Sequence, residues 1–121
     1  MARILLVEDD DSVRGFVSRA LEIDSHSVVL AENGAVGHEL YEADHESFDL
    51  VLSDIQMPEM DGIEMASRIA NINENQKILL MTGYADQRER ADGISKIVID
   101  VVQKPFSLPE IRKKVAQALA A

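Results

Sequence analysis

Leu50-Val51-Leu52-Ser53-Asp54-Ile55-Gln56-Met57-Pro58-Glu59-Met60-Asp61-Gly62 is the stretch on which the fold turns. A short apolar run bounded by turn residues reads as a buried strand. It stops at the carboxylate of Asp54, and a loop punctuated by Pro58 and Gly62 follows. The carboxyl ends of the strands are where open α/β sheets place their ligands. Asp54 therefore becomes a candidate site residue if other strand ends bring it suitable neighbours.

The rest of the chain supplies them. Ile4-Leu5-Leu6-Val7 is a second buried-strand run and ends in Glu8-Asp9-Asp10-Asp11. Adjacent carboxylates repel one another, so local stability does not explain this cluster; Asp11 is expected to cap the following helix, whose positive end favours the others. That helix carries Val13, Phe16, Val17, Ala20 and Leu21 at helical spacing and should end near Asp24-Ser25. Val28 to Ala31 is the next strand, Asn33-Gly34 a turn, and 35–43 a helix with Val36 and Leu40 on its apolar side. After Asp54, Asp61-Gly62-Ile63-Glu64 resembles a capping box and opens a helix with Ile63, Ala66, Ile69 and Ala70 on one face. Lys77 to Met81 is a strand ending at Thr82-Gly83. Residues 85–92 form a highly charged helix with a poor apolar face, closed by Gly93. A last strand lies within Val98 to Gln103 and meets Lys104-Pro105. Ser107-Leu108-Pro109-Glu110 is a full capping box before a helix that carries Leu108, Ile111, Val115, Ala118 and Leu119.

Five strand-then-helix units with short connections predict an α/β fold, a parallel sheet with helices on both faces. The 121 residues fit one domain. There is no cysteine, which excludes a disulfide framework, a thiol nucleophile and a Cys-based zinc site. No apolar run reaches transmembrane length, and the N-terminus turns acidic too early for a signal peptide, so a soluble cytoplasmic protein is expected. The net charge of −10 disfavours nonspecific binding to nucleic acid or anionic membranes. Residues 1–84 carry 5 basic and 17 acidic residues, and residues 85–121 carry 7 basic and 5 acidic, so the C-terminal third is the better surface for an acidic partner.

In a parallel sheet the strand ends converge, bringing together Glu8, Asp9, Asp54, Thr82 and Lys104. Three carboxylates demand a cation. Hard oxygen ligands with open positions suit Mg²⁺. Lys104 can hold a phosphoryl oxygen and Thr82 can donate a hydroxyl. A carboxylate nucleophile, a metal, a cation and a hydroxyl are the parts that phosphoryl transfer needs. His26, His38 and His45 share no spacing and are expected at the surface; Met57, Met60, Met65 and Met81 are expected as packing.

At these residues the chain resembles, over its whole length, a response-regulator receiver domain of two-component signalling. The likeness is carried by Ile4-Leu5-Leu6-Val7-Glu8-Asp9-Asp10, Ser53 to Gly62, Met81-Thr82-Gly83 and Lys104-Pro105-Phe106, in order and each at a strand end. The resemblance implies a flavodoxin-like (βα)5 sandwich of three layers with strand order 2-1-3-4-5. It implies that Asp54 accepts a phosphoryl group from a phosphohistidine donor on a sensor histidine kinase or phosphotransfer protein. Asp9, Asp54 and the Gln56 carbonyl would ligate Mg²⁺, with Glu8 acting through a bound water. Thr82 and Lys104 would meet the phosphoryl group, and the Lys104–Pro105 peptide would be cis. The family often carries an aromatic switch residue on the fifth strand; Val101 stands there, and Tyr84 is the alternative ordering side chain. The expected protein is thus a receiver over 1–121 without an output domain. It acts by phosphorylation-controlled binding of a downstream protein and has no catalysis beyond its own phosphorylation and dephosphorylation.

Arg3-Ile4-Leu5-Leu6, Met57 to Glu64, Thr82-Gly83-Tyr84 and the Leu119-Ala120-Ala121 end also resemble the alphaproteobacterial single-domain regulators of ClpXP-dependent proteolysis. The Ala-Ala end resembles a tag of that protease; an alanine-rich helix end is the plainer reading. Two rivals fit less well. A haloacid-dehalogenase-type phosphatase needs a second aspartate two residues after the nucleophile, where Gln56 stands. A flavodoxin-like FMN carrier needs a hydroxyl- and Gly-rich loop after the first strand, where Glu8-Asp9-Asp10-Asp11 would repel phosphate.

Overall fold

The structure, a computed structural model, describes residues 2–83, 90–91 and 93–121. The strands are β1 (Arg3–Val7), β2 (Ser27–Ala31), β3 (Leu50–Asp54), β4 (Ile78–Thr82) and β5 (Asp100–Gln103). The helices are α1 (Asp11–Ile23), α2 (Gly34–Asp44), α3 (Gly62–Ile72) and the C-terminal α4 (Leu108–Ala120), with a short 3-10 turn at His45–Ser47. The expected helix at 85–92 lies outside the described residues except for Arg90 and Ala91.

All strand pairs are parallel and the order is β2-β1-β3-β4-β5. This is the expected flavodoxin-like arrangement. It explains why the central strands read as unbroken apolar runs: both faces of the sheet are covered, so successive side chains enter opposite cores. Leu5, Val7, Val51, Ile78 and Leu80 pack with α2 and α3 and with Ala91. Ile4, Leu6, Leu50, Leu52, Leu79 and Met81 pack on the other side with α1 and α4.

One local expectation needs correction. The α1 cap is Asp10, not Asp11: its Oδ1 accepts from the Ser12 and Val13 N–H groups at 2.9 and 3.0 Å. Asp11 is already the first helical residue. On α2, Val36 and Leu40 pack against the core as expected, half-buried beside the buried Gly34, Gly37 and Tyr41. The helix comes so near the sheet that a Cβ on Gly37 would lie 2.8 Å from Val7 Cγ2. The closest approach is made where there is no side chain. On α3 the expected face holds: Ala66 and Ile69 are buried, Ile63 packs half-buried against the core, Ala70 is half-buried, and Met65 is buried beside them.

The turn expectations hold elsewhere. Ser107 Oγ accepts from the Glu110 N–H, and Glu110 Oε1 accepts from the Ser107 N–H, which completes the capping box. Asp61 accepts from the Glu64 N–H at 2.9 Å, whereas the Glu64 carboxylate pairs with Arg68 at 3.3 Å. At the chain's end Ala118 is buried and Leu119 packs partly against the core. The Lys77 ammonium donates to the Leu119 carbonyl at 2.6 Å, which satisfies a helix-end acceptor. No described helix is long and apolar enough to cross a membrane.

Candidate phosphoacceptor and metal site

The carboxyl ends of β1 and β3 lie side by side because Val7 pairs with Ser53. That register puts Glu8 and Asp9 next to Asp54. Ligand oxygens of Glu8, Asp9 and Asp54 lie within 4.8 Å of one another. Glu8 is fully buried, Asp54 is nearly so, and Asp9 faces solvent. Asp54 Oδ1 accepts from the Ile55 N–H at 3.0 Å, and Glu8 Oε2 accepts from the Asp10 N–H at 3.2 Å.

Lys104 enters from the end of β5. Its Nζ lies 2.8 Å from Glu8 Oε1 and 3.3 Å from Asp54 Oδ2. The Lys104 N–H also donates to the Thr82 carbonyl at 2.7 Å, and the Lys104–Pro105 peptide is cis. Thr82 is buried at the end of β4, one residue past Met81, which pairs with Asp54. Gln56 is exposed at the rim of the cleft, which Gly83 and Pro105 also line.

Gly62 closes the floor. Its N–H donates to the Ile55 carbonyl at 2.7 Å, and a Cβ on it would lie 2.1 Å from the Asp54 carbonyl oxygen. A Cβ on Gly34 would lie 1.9 Å from the Met60 carbonyl oxygen. The loop after Asp54 is therefore clamped between α2 and its own strand, with Glu59 at a positive φ of 72°.

The electrostatics follow from crowding. Burial pushes the Glu8 carboxyl up to about 7, against the lowering effect of the Lys104 hydrogen bond. Burial also raises Asp54 above the ordinary aspartate value, again opposed by Lys104. For Lys104 burial acts downward, but its bond to Glu8 and the charges of Asp54 and Glu8 outweigh it and hold the ammonium above the usual lysine value. One cation for three carboxylates leaves excess negative charge in a partly dry cleft. The donor set fits a hard divalent cation: clustered carboxylate oxygens, one side open to water.

The structure thus gathers Glu8, Asp9, Asp54, Gln56 and Lys104 around one cleft, with Thr82 beside it. Val101 is half-buried on β5, paired with Leu80, and packs against the α2–α3 side of the core. Tyr84 lies outside the described residues. The histidines stay away from the cleft: His26 accepts from the Ala2 N–H, and His38 pairs with Glu42 along α2. Two features escaped the sequence reading. One is the Lys104–Glu8 pair, since Lys104 was assigned only to a phosphoryl group. The other is Arg14, whose guanidinium donates to the Glu8 carbonyl at 2.8 Å and pairs with Asp11. An arginine three residues after an aspartate on a helix's first turn was the available signal.

Comparison with known proteins agrees with this geometry. Residues 4–116 match the response regulator receiver domain model. The chain is 40% identical over 121 residues to the response regulator receiver protein CpdR of Brucella abortus, covering 100% of this chain and 99% of that one. Of longer curated regulators that it matches it spans between 25% and 50%. A receiver-domain protein from Clostridium thermocellum shares the fold with a TM-score of 0.90 at 22% identity, over 99% of this chain and 95% of that one. The response regulator TrrA of Thermotoga maritima, solved in complex with Mg²⁺ and a beryllium fluoride, superposes with a TM-score of 0.83 at 32% identity, over 98% and 99% of the two chains. The chain belongs to the response regulator receiver domain family of two-component signalling.

Proposed function

We propose that this chain is a phosphorylation-switched binding module in which Asp54 is the phosphoacceptor. The observation that carries the reading is the bridge of Lys104 between Glu8 and Asp54, with the Asp9 carboxylate alongside. An Asp54 oxygen attacks phosphorus; the P–O bond forms as the P–N bond of a phosphohistidine breaks, and the imidazole leaves with the bonding electrons. Water later hydrolyses the acyl phosphate. Asp9, Asp54 and the Gln56 carbonyl would hold Mg²⁺, with Glu8 behind them. When bound, the ion neutralises the carboxylates and the transferring phosphoryl oxygens. Lys104 exchanges a carboxylate partner for a phosphoryl oxygen, and the Thr82 hydroxyl supplies a second donor.

The new group brings roughly 1.5–2 negative charges. Thr82 and Lys104 feel them first, and both connect to β5, since the Lys104 N–H is bonded to the Thr82 carbonyl. Val101, half-buried on β5, and Tyr84 are the two candidate side chains for carrying the change to the outer surface. The donor is a sensor histidine kinase or a phosphotransfer protein, and the output is contact with a downstream protein in the cytoplasm. The likeness to the receiver protein CpdR, of which this chain covers 99%, supports a phosphorylation-controlled regulator. A role in regulated proteolysis or the cell cycle is part of the proposal and rests on the resemblance of Arg3 to Leu6, Met57 to Glu64 and the Ala-Ala end. No turnover of phosphomonoesters is expected.

The test is incubation with acetyl phosphate with and without Mg²⁺, read by intact mass. One phosphoryl group should be added only with Mg²⁺ and not in Asp54→Ala. A mass gain that survives Asp54→Ala, or needs no Mg²⁺, overturns the mechanism. For the output, pulldowns with wild type and Asp54→Ala should differ in partners; identical sets argue against a switch.

A further inference from the structure

We propose that Arg14 is a positioning residue for the metal site, holding the Glu8–Asp9 peptide so that the Asp9 carboxylate faces Asp54. Among the described residues no hydrogen bond or ion pair fixes the Asp9 carboxylate, and the residue is exposed. Yet its oxygen lies within 4.8 Å of those of Glu8 and Asp54. Its direction is therefore set through the backbone, and the peptide that sets it is the one whose carbonyl belongs to Glu8.

That carbonyl accepts from Arg14 Nη1 at 2.8 Å. The other arm of the guanidinium pairs with Asp11, and the side chain is only 19% exposed. A planar fork held on two acceptors cannot rotate freely. On the near side, the Glu8 N–H donates to the Ala31 carbonyl at 3.0 Å. On the far side, Asp10 is pinned by capping α1. Of the two peptides between these anchors, the Asp10 N–H holds the second through Glu8 Oε2 at 3.2 Å, and Arg14 secures the first, Glu8–Asp9. It does so from behind, bonding to a carbonyl rather than to a carboxylate, so it leaves the ligand oxygens available.

This inference rests on the Mg²⁺ reading above. The test is a MgCl₂ titration of the full chain followed by amide chemical shifts of residues 8–10 and 55, with no phosphoryl donor present. Arg14→Gln should weaken Mg²⁺ about tenfold, the scale on which outer partners of metal ligands act. Arg14→Lys should weaken it several-fold, because an ammonium cannot bridge both acceptors. Arg19→Gln, an exposed arginine on the same helix, should bind as wild type or slightly tighter.

The sign separates the explanations. In a chain of net charge −10, removing any nearby cation favours Mg²⁺ by long-range attraction, whereas loss of positioning opposes it. A purely structural role would lower the unfolding midpoint of Arg14→Gln and leave the affinity of the folded protein unchanged. Unchanged or tighter binding in Arg14→Gln overturns the proposal. Where Arg14→Gln does not fold, wild-type affinity in Arg14→Lys overturns it. A wild-type protein with no Mg²⁺ response overturns the metal reading itself. A wild type that responds, with the response lost in Asp9→Asn, leaves that reading standing whatever Arg14 does.

Discussion

The Lys104 ammonium lies 2.8 Å from the buried carboxylate of Glu8, a pair joining the ends of strands 96 residues apart in sequence. Lys104 also lies 3.3 Å from Asp54, so one side chain compensates two buried acids. Removing it leaves both without a counter-charge. Lys104→Met should lose about 2 kcal/mol of stability in chelator at neutral pH, below the usual cost of breaking a fully buried pair because Lys104 is partly exposed. A divalent cation substitutes for the missing charge, so Mg²⁺ should stabilise the variant more than it stabilises wild type. Urea titrations of both proteins with EDTA and with Mg²⁺ give the comparison; an equal gain in both would refute it.

The glycines make predictions of opposite sign. Gly62→Ala drives a methyl group to 2.1 Å from the Asp54 carbonyl oxygen, and Gly34→Ala drives one to 1.9 Å from that of Met60. Each should cost about 2–3 kcal/mol, since backbone cannot step aside as a side chain can. Gly15 sits within α1 with nothing within 4 Å of an added Cβ. Gly15→Ala should stabilise by about 0.5–1 kcal/mol through lower helix cost. Chemical denaturation midpoints decide both.

Tyr41 is fully buried, and its hydroxyl donates to Gln76 Oε1 at 2.8 Å. Tyr41→Phe keeps the ring in the core and strands a buried acceptor. The expected loss is about 1–2 kcal/mol, read from the urea midpoint. A variant as stable as wild type would show that water reaches Gln76.

The Arg112–Asp24 pair joins the end of α1 to α4 at 2.6 Å. The Arg112 hydrogen bond holds the Asp24 carboxyl below its ordinary value. A carboxylate whose folded pKa is depressed adds stability above its unfolded pKa and loses it as pH falls through the folded value. Asp24→Asn should therefore be less stable than wild type above about pH 4, and the two should converge below that. Thermal midpoints measured from pH 7 down to pH 2 test this. A gap that persists at pH 2 would mean that shape rather than charge matters there.

Much of this protein was legible in its sequence. The order of strands and helices follows from apolar runs alternating with helical spacing, because burial on both sheet faces forbids polar residues in the middle of β1, β3 and β4. The site residues were legible for the converse reason. Glu8, Asp9, Asp54 and Lys104 are polar groups placed where apolar runs stop, and a parallel sheet brings all such stops to one edge.

Only the tertiary structure decided how those groups share their charges and how closely the backbone packs around them. The pairing of Lys104 with Glu8 depends on a distance across the two strands β3 and β4, which no local pattern encodes. The α1 cap fell to Asp10 rather than Asp11 because chain direction at the helix entry, not residue type, selects among neighbouring aspartates. Gly34, Gly37 and Gly62 look like turn and helix glycines in sequence; their spacing to Met60, Val7 and Asp54 makes them contact points. Sequence determines which residues must leave water and which must stay near it. Packing alone determines which atoms then meet, because contact energies fall away within an ångström or two.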